Sequence, residues 1–234
     1  MISFLWLVPS ASFVLAIITA AFMFLKYLQK HGTQHLFWAI GMFLYAAGSL
    51  AEALYILLGW REWIFRIWYL CGAILVAAWL GQGTILLLVR RKIAAILSIV
   101  LLLASIFAAW RIFTAQLDPN LLSAETGLLS GAVITSPGVR TLTPFFNIYG
   151  TLALIGGAIY SAVGLWRKRS LPHRAVGTAL IALGAFFPAM GGTLNRLGYP
   201  EGLYFFEMAG AILLLAGTLR SVKPFRSKRL QTEL

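Results

Sequence analysis

The stretch of residues 63–89, WIFRIWYLCGAILVAAWLGQGTILLLV, decides the fold class of this protein. It runs for 27 residues with Arg66 as its only charged side chain, and the basic run Arg90-Arg91-Lys92 follows at once. A helix needs about 20 mostly apolar residues to cross the hydrocarbon core of a bilayer. The stretch therefore predicts a membrane-spanning helix with a positively charged end.

The rest of the 234-residue chain repeats this pattern. It is 60% hydrophobic and only 11% charged, with a mean hydropathy of +0.86, which excludes an ordinary soluble domain. Seven apolar runs are separated by charges or by Pro and Gly: 3–25, 36–59, 63–89, 93–112, 144–166, 174–196 and 202–220. We expect an all-α, seven-transmembrane helix bundle over residues 1–222, followed by a basic tail over 223–234.

The basic residues predict how this bundle is oriented. Fourteen of the 19 Lys and Arg residues follow predicted helices 1, 3, 5 and 7: Lys26, Lys30, Arg90, Arg91, Lys92, Arg167, Lys168, Arg169, Arg174, Arg220, Lys223, Arg226, Lys228 and Arg229. Basic residues concentrate on the cytoplasmic side, so the N-terminus is expected outside and the C-terminus in the cytoplasm. The net charge of +12 thus has a topological explanation, and nucleic acid is not expected as a partner.

Two features bear on how the bundle is organised. The long external segment 113–143 has an apolar centre, Gly131-Ala-Val-Ile-Thr135, and is expected to cover the external face, with this centre as a candidate short strand. The sequence Gly-Ala-Ile-Leu occurs at 72–75 and again at 210–213. If this repeat is structural, helices 1–3 and 5–7 are parallel repeats joined by helix 4, as in some transporters.

Charged residues inside spans are costly and usually face the bundle interior. Glu52, Arg66 and Glu207 lie within predicted spans, all in the external half. Their faces carry small or aromatic residues at helical spacing, which indicates packed protein and not lipid. We predict a polar, externally open ligand pocket formed by Tyr45, Glu52, Arg66, Tyr69, Asn147, Asn195, Arg196 and Glu207.

Helix 6 carries Pro188, Gly191 and Gly192, which predict a hinge because proline removes a backbone donor and glycine adds conformational freedom. A structural alternative remains open for the charges. Glu52 could pair with Arg66, and Glu207 with Arg196 or Arg111, only to fix helix register. With one cysteine, three histidines and no nucleophile–base pattern, the sequence predicts neither metal nor cofactor, and an enzymatic activity is not expected.

Helices 2 to 6 resemble the seven-transmembrane sensory region at the N-terminus of some bacterial histidine kinases. The resemblance is carried by 38–52, where an aromatic–glycine helix ends in Glu52, by 66–72 leading to Ala78-Trp79, by 145–149 leading to Gly157, and by 174–188. It implies detection of an external or membrane-borne stimulus. This chain departs from the family after Leu219, where only about fifteen residues remain and no kinase domain follows.

The sequence therefore predicts a stand-alone sensor or receptor in the bacterial cytoplasmic membrane that binds a small ligand. Its partners would be the lipid bilayer, that ligand and a cytoplasmic or membrane signalling protein. Rows of small residues on helices 3 and 5 are also compatible with a homo-oligomer. The alternative is a small-solute transporter of 3+1+3 helices, coupled to protons through one of the carboxylates.

Overall fold

The computed structural model describes residues 5–122, 129–167, 172–196 and 201–222, and seven long helices make up most of these ranges. They are α1 (Leu7–Lys30), α2 (Thr33–Leu58), α3 (Glu62–Leu88), α4 (Arg91–Phe113), α5 (Val139–Thr151, continuing through Leu152–Gly156 and Gly157–Arg167), α6 (Pro172–Arg196) and α7 (Glu201–Val222). The prediction of an all-helical fold is confirmed, and the described residues contain seven long helices. The predicted basic tail at 223–234 lies outside the described residues.

Six of these helices are long and apolar enough to cross a membrane. The exception is α6, whose apolar stretch is shorter and covers Val176–Gly192. Exposed apolar side chains cover the outside of the bundle. On α4, for example, they include Ile96, Leu103 and Phe107. The chain is therefore a multi-pass helical membrane protein.

Short turns make each of the first three helices antiparallel to the next one. His31 takes a left-handed conformation with φ of 51° and, with Gly32, separates α1 from α2. Gly59 has φ of 72° and ends α2 just before α3, a conformation that glycine adopts without steric cost. We call the end of the bundle where α4 leads to α5 the connection end, and the other the opposite end.

Six helices form a closed ring, in the order α1, α2, α3, α5, α6, α7 and back to α1. The remaining helix, α4, lies outside this ring against α3 and the first part of α5. The sequence offers no direct signal for this order, because each helix has a broadly apolar surface. The ring creates an interior that α1 to α3 enclose on one side and α5 to α7 on the other.

The two halves of the ring repeat the same close contacts. A Cβ atom on Gly48 of α2 would lie 2.9 Å from Cα of Gly72 on α3, and one on Gly184 of α6 would lie 3.0 Å from the carbonyl oxygen of Gly210 on α7. Nearer the opposite end, a Cβ on Gly41 would approach Leu80, and one on Gly217 would approach Gly177. The surrounding sequences match as well, since Ala-Ile-Gly at 39–41 corresponds to Ala-Val-Gly at 175–177. Helices α2 and α3 thus pack on each other as α6 and α7 do.

The connection between α4 and α5 folds back onto the bundle. Val133 and Ile134 are buried in the apolar core between α2, α3, α4 and α5. The predicted strand is wrong in extent: Gly131–Val133 is a 3-10 turn, and a single antiparallel bridge joins Leu117 to Ile134. Glycine is required at 131, because a Cβ there would lie 2.8 Å from the ring of Tyr69.

Candidate functional site

The ring encloses a cavity of about 1090 Å³ that extends from the connection end to the middle of the bundle. Five helices and the connection line it, and its most informative members are Tyr45, Ser49, Glu52, Trp68, Tyr69, Ser130, Arg140, Asn147, Pro188, Gly192, Leu214 and Glu207. Leu80 and Leu154 lie at its apolar inner limit. A cavity of this size accommodates a small organic ligand.

Glu52 is the most deeply buried charged residue described in this cavity, with a side chain that is 1% exposed. Its Oε1 accepts a hydrogen bond of 2.8 Å from the indole Nε1 of Trp68. Its Oε2 is the only buried side-chain oxygen or nitrogen without a hydrogen-bond partner among the described residues. The carboxyl group of Glu207 is within hydrogen-bonding reach of Glu52, so the two acidic side chains form one buried pair that faces the cavity.

Glu207 of α7 lies beside Glu52 and also lines the cavity. The hydroxyl of Tyr45 donates a 2.6 Å hydrogen bond to the backbone oxygen of Glu207, which ties the middle of α2 to α7. Tyr204, which is 2% exposed, is within electrostatic range of both carboxylates. Two acidic side chains from opposite halves of the ring therefore meet within one cavity, as the sequence predicted for their common level.

Arg66, however, is not part of this group. Its guanidinium bonds the carboxylate of Glu62, with Nη2 at 2.5 Å from Oε1, and the backbone oxygens of Ile112 and Ala115. The last carbonyls of a helix have no partner within the helix, and Arg66 satisfies them at the end of α4. The prediction that Arg66 binds ligand, and the alternative that it pairs with Glu52, both place it on the wrong side of α3. Arg66 fastens α4 to α3.

The other predicted site residues are distributed as follows. Tyr69 and Asn147 line the cavity: the Tyr69 hydroxyl accepts a 2.9 Å hydrogen bond from Thr143, and the Asn147 amide donates one of 3.0 Å to the backbone oxygen of Ala73. These bonds join α3 to α5. Asn195 and Arg196 belong to the last turn of α6, but their side chains lie outside the described part of the chain.

The predicted hinge residues have separate roles. Pro188 and Gly192 line the cavity, and α6 remains helical from Pro172 to Arg196. Gly210 makes room for the ring of Pro188, since a Cβ there would lie 2.7 Å from its Cδ. Gly191 lets α6 approach the backbone of Leu203 on α7. Only Gly192 has open space at its Cβ position, and hinge bending of α6 stays a prediction.

Gln82 was not among the predicted site residues, although it organises the bundle below the cavity. This fully buried amide donates to the backbone oxygen of Ala94 at 2.9 Å and to Ser98 at 2.8 Å, and accepts a hydrogen bond from Tyr149. It thereby joins α3, α4 and α5. A lone glutamine between two glycines in an apolar run was the available signal, because a buried amide in a membrane needs partners on neighbouring helices.

The cavity opens sideways between α5 and α6. Ile148 and Leu152 line it although they are 59% and 70% exposed, which requires them to face both the cavity and the outside. The half of α5 nearer the opposite end packs along α6, whereas the half nearer the connection end makes little contact with it. At the exposed edge lies Arg140, which is also part of the lining. The described residues thus leave a lateral opening toward the apolar surroundings of the bundle.

The described side chains include no cluster of three His, Cys, Asp or Glu residues that could hold a metal ion. The arrangement is suited to binding, because two buried carboxyl groups and an aromatic wall surround a space of ligand size. No protein family model, curated protein or solved structure matches this chain.

Proposed function

We propose that this protein is a ligand-binding membrane protein of sensor or receptor character, whose small ligand occupies the central cavity. The observation that carries the proposal is the buried pair of Glu52 and Glu207, which lines a cavity of ligand size and has no cationic partner among the described side chains. A ligand that donates hydrogen bonds to this pair would gain affinity from buried acceptors, Oε2 of Glu52 among them.

In the proposed mechanism, the ligand bridges Glu52 on α2 and Glu207 on α7, together with the polar groups of Tyr69 and Asn147. It would also contact Pro188 and Gly192, which lie in the lining on α6. A ligand shifts a conformational equilibrium only through contacts that differ between two states. Because α6 packs on α7 through Gly184, Gly191 and Gly210, binding would alter the position of α6 against α7.

The proposed orientation has the N-terminus outside, the C-terminus in the cytoplasm and the cavity open on the external side of a bacterial cytoplasmic membrane. A signalling partner would then meet the opposite end of the bundle. The basic residues there, such as Lys26, Lys30 and Arg90, would lie near anionic lipid headgroups.

A cavity-filling substitution tests the proposed site. Gly192 lines the cavity with nothing within 4 Å of its Cβ position, so Gly192→Phe should fill the cavity without disturbing helix packing. Gly164→Phe on α5 is the matched control, since Gly164 also has open space but is outside the lining. Thermal unfolding of detergent-purified protein with a panel of small solutes should show ligand stabilisation of the wild type and the control, and none in Gly192→Phe. Equal stabilisation of all three would contradict the proposal.

Transport of a small solute is a second candidate, and the repeated contacts of the ring favour it. Parallel repeats with a site between them occur in transporters that expose a central site to each side in turn. Here the site lies between the two halves, and Leu80 and Leu154 limit it near the middle of the bundle. Uptake of a stabilising solute into liposomes containing the protein would favour transport. Binding without uptake would favour sensing.

A further inference from the structure

We infer that the ligand is an alkylammonium compound, whose positive head lies between Glu52 and Glu207 and whose apolar tail lies in the opening between α5 and α6. This inference rests on the proposed function and adds the chemical class of the ligand.

The charge of the site favours a cation. Glu52 and Glu207 come from opposite halves of the ring and lie within hydrogen-bonding reach of each other, and neither has a cationic partner among the described side chains. The nearest candidate by sequence, Arg66, is bound to Glu62 and to the end of α4. Two carboxylates of this kind disfavour an anion and favour a group that both donates hydrogen bonds and carries positive charge. An ammonium head meets both requirements, and Oε2 of Glu52 would accept one of its hydrogen bonds.

The aromatic wall of the cavity provides apolar surface beside the acidic pair. Trp68 and Tyr69 are buried in the lining of the cavity beside Glu52, and Trp68 is held in place by its hydrogen bond to that carboxylate. Trp68 meets Glu52 through its indole N–H edge and Tyr69 stacks on Phe65, so these rings contribute apolar surface next to the carboxylate. The same rings would pack against the first methylene groups of an alkyl chain.

The lateral opening favours a ligand with an apolar tail. Ile148 and Leu152 of α5 line the cavity and are exposed at its lateral opening, and Ala185 and Pro188 contribute the lining from α6. An apolar tail would lie along these side chains and extend toward the apolar surroundings of the bundle, which a polar ligand without a tail would not do. Arg140 at the exposed edge of the lining repels a cation there, so that the positive head is favoured only in the interior.

Two sources can supply this chemistry: a free lipophilic amine or a membrane lipid with an amine headgroup. Native mass spectrometry of the purified protein would distinguish them. Retained phosphatidylethanolamine that hexylamine displaces would identify a lipid source. Hexylamine binding to protein free of such lipid would identify a free amine.

The test compares three compounds of one chain length, hexylamine, hexanol and hexanoate, by thermal unfolding and by titration calorimetry on the detergent-purified protein near neutral pH. Only hexylamine should bind. Shortening it to methylamine should weaken binding by roughly threefold to fourfold for each methylene group removed. Glu52→Gln and Glu207→Gln should each weaken hexylamine binding roughly tenfold to hundredfold, as expected for loss of a charge-assisted hydrogen bond.

Two features keep the result interpretable. Glutamine at 52 still accepts the hydrogen bond from Trp68, so Glu52→Gln should fold, and Glu62→Gln provides a control carboxylate at the same end of the bundle but outside the cavity lining. Equal binding of hexanol, or full affinity in both cavity variants, would overturn the alkylammonium ligand and leave the proposed cavity function in place. If no hexyl compound binds but another solute stabilises the wild type and not Gly192→Phe, the inference alone fails. If no solute at all does so, both fail.

Discussion

The burial of Arg66 was predicted correctly, whereas its bonding partners were not. Its position inside an apolar run indicated a buried charge that faces protein, and it is indeed buried. Its partners could not be predicted, because two of them are the backbone oxygens of Ile112 and Ala115, and any helix end offers such atoms. Side-chain identity alone therefore favoured a carboxylate as the partner.

Arg66→Ala should lower the stability of the protein and leave ligand binding intact. It removes the bonds that satisfy the end of α4, and loss of hydrogen bonds from a charged donor costs about 1.5–3 kcal/mol. Arg111→Ala is the control, because Arg111 makes a single exposed hydrogen bond to Pro137 and should cost much less. Thermal unfolding measures both. If folded Arg66→Ala protein were no longer stabilised by ligand, Arg66 would have to contribute to ligand binding.

Gln82→Leu should also destabilise the protein, since Tyr149 would lose its acceptor in an apolar environment. We expect a loss of roughly 1–3 kcal/mol. Tyr149→Phe removes the other partner of that bond, so the double variant should lose less than the sum of the two single losses. Unfolding of all three variants in one detergent supplies the comparison. Strict additivity would mean that the bond contributes little.

At the level of the helices, length and apolar pattern were sufficient to predict each long helix among the described residues, and the predicted ends fall within five residues of the observed ones. The pairs of helices that pack on each other were harder to predict from the sequence. Small residues on α3 predicted close approach, and Gly81 does approach the backbone of Gly150 on α5. The sequence did not indicate which helix would meet that surface, because glycines occur on several of the others.

The α3–α5 contact can be tested at Gly150. A Cβ atom there would overlap the backbone of Ala77 on α3, and neither backbone can move away without separating the helices. Gly150→Ala should therefore cost at least about 1–3 kcal/mol. Gly164→Ala, on the same helix with open space around it, should be neutral or stabilise by up to about 1 kcal/mol. Equal thermal stability of the two variants would contradict this contact.

At the scale of the whole molecule, composition was enough to predict a multi-pass membrane protein, and the candidate site was predicted in part. Glu52, Glu207, Tyr45, Tyr69 and Asn147 do line one cavity. The lateral opening was not predicted, because it depends on how far α5 stands from α6 and not on any residue type. The four-residue repeat was a weak signal whose meaning became clear only from the matching glycine contacts in both halves.

The orientation across the membrane can be tested by labelling. In a Cys71→Ala background, Asn120→Cys places a thiol in the α4–α5 connection and Thr33→Cys places one at the start of α2, both at exposed positions. Because basic residues concentrate at the opposite end, a membrane-impermeant maleimide should label Asn120→Cys in intact bacterial cells and Thr33→Cys only after lysis. The reverse pattern would invert the proposed topology.

The correspondence between the halves has a further consequence for the shape of what they bind. Counted from the shared glycines, Glu52 on α2 takes the place that Pro188 has on α6, and Glu207 on α7 takes the place of Tyr69 on α3. Two identical half-length chains would have to carry the same side chain at both equivalent places. A single chain is free of that requirement. The two halves of this cavity can therefore carry different side chains at equivalent places, so that the cavity distinguishes one end of a bound molecule from the other.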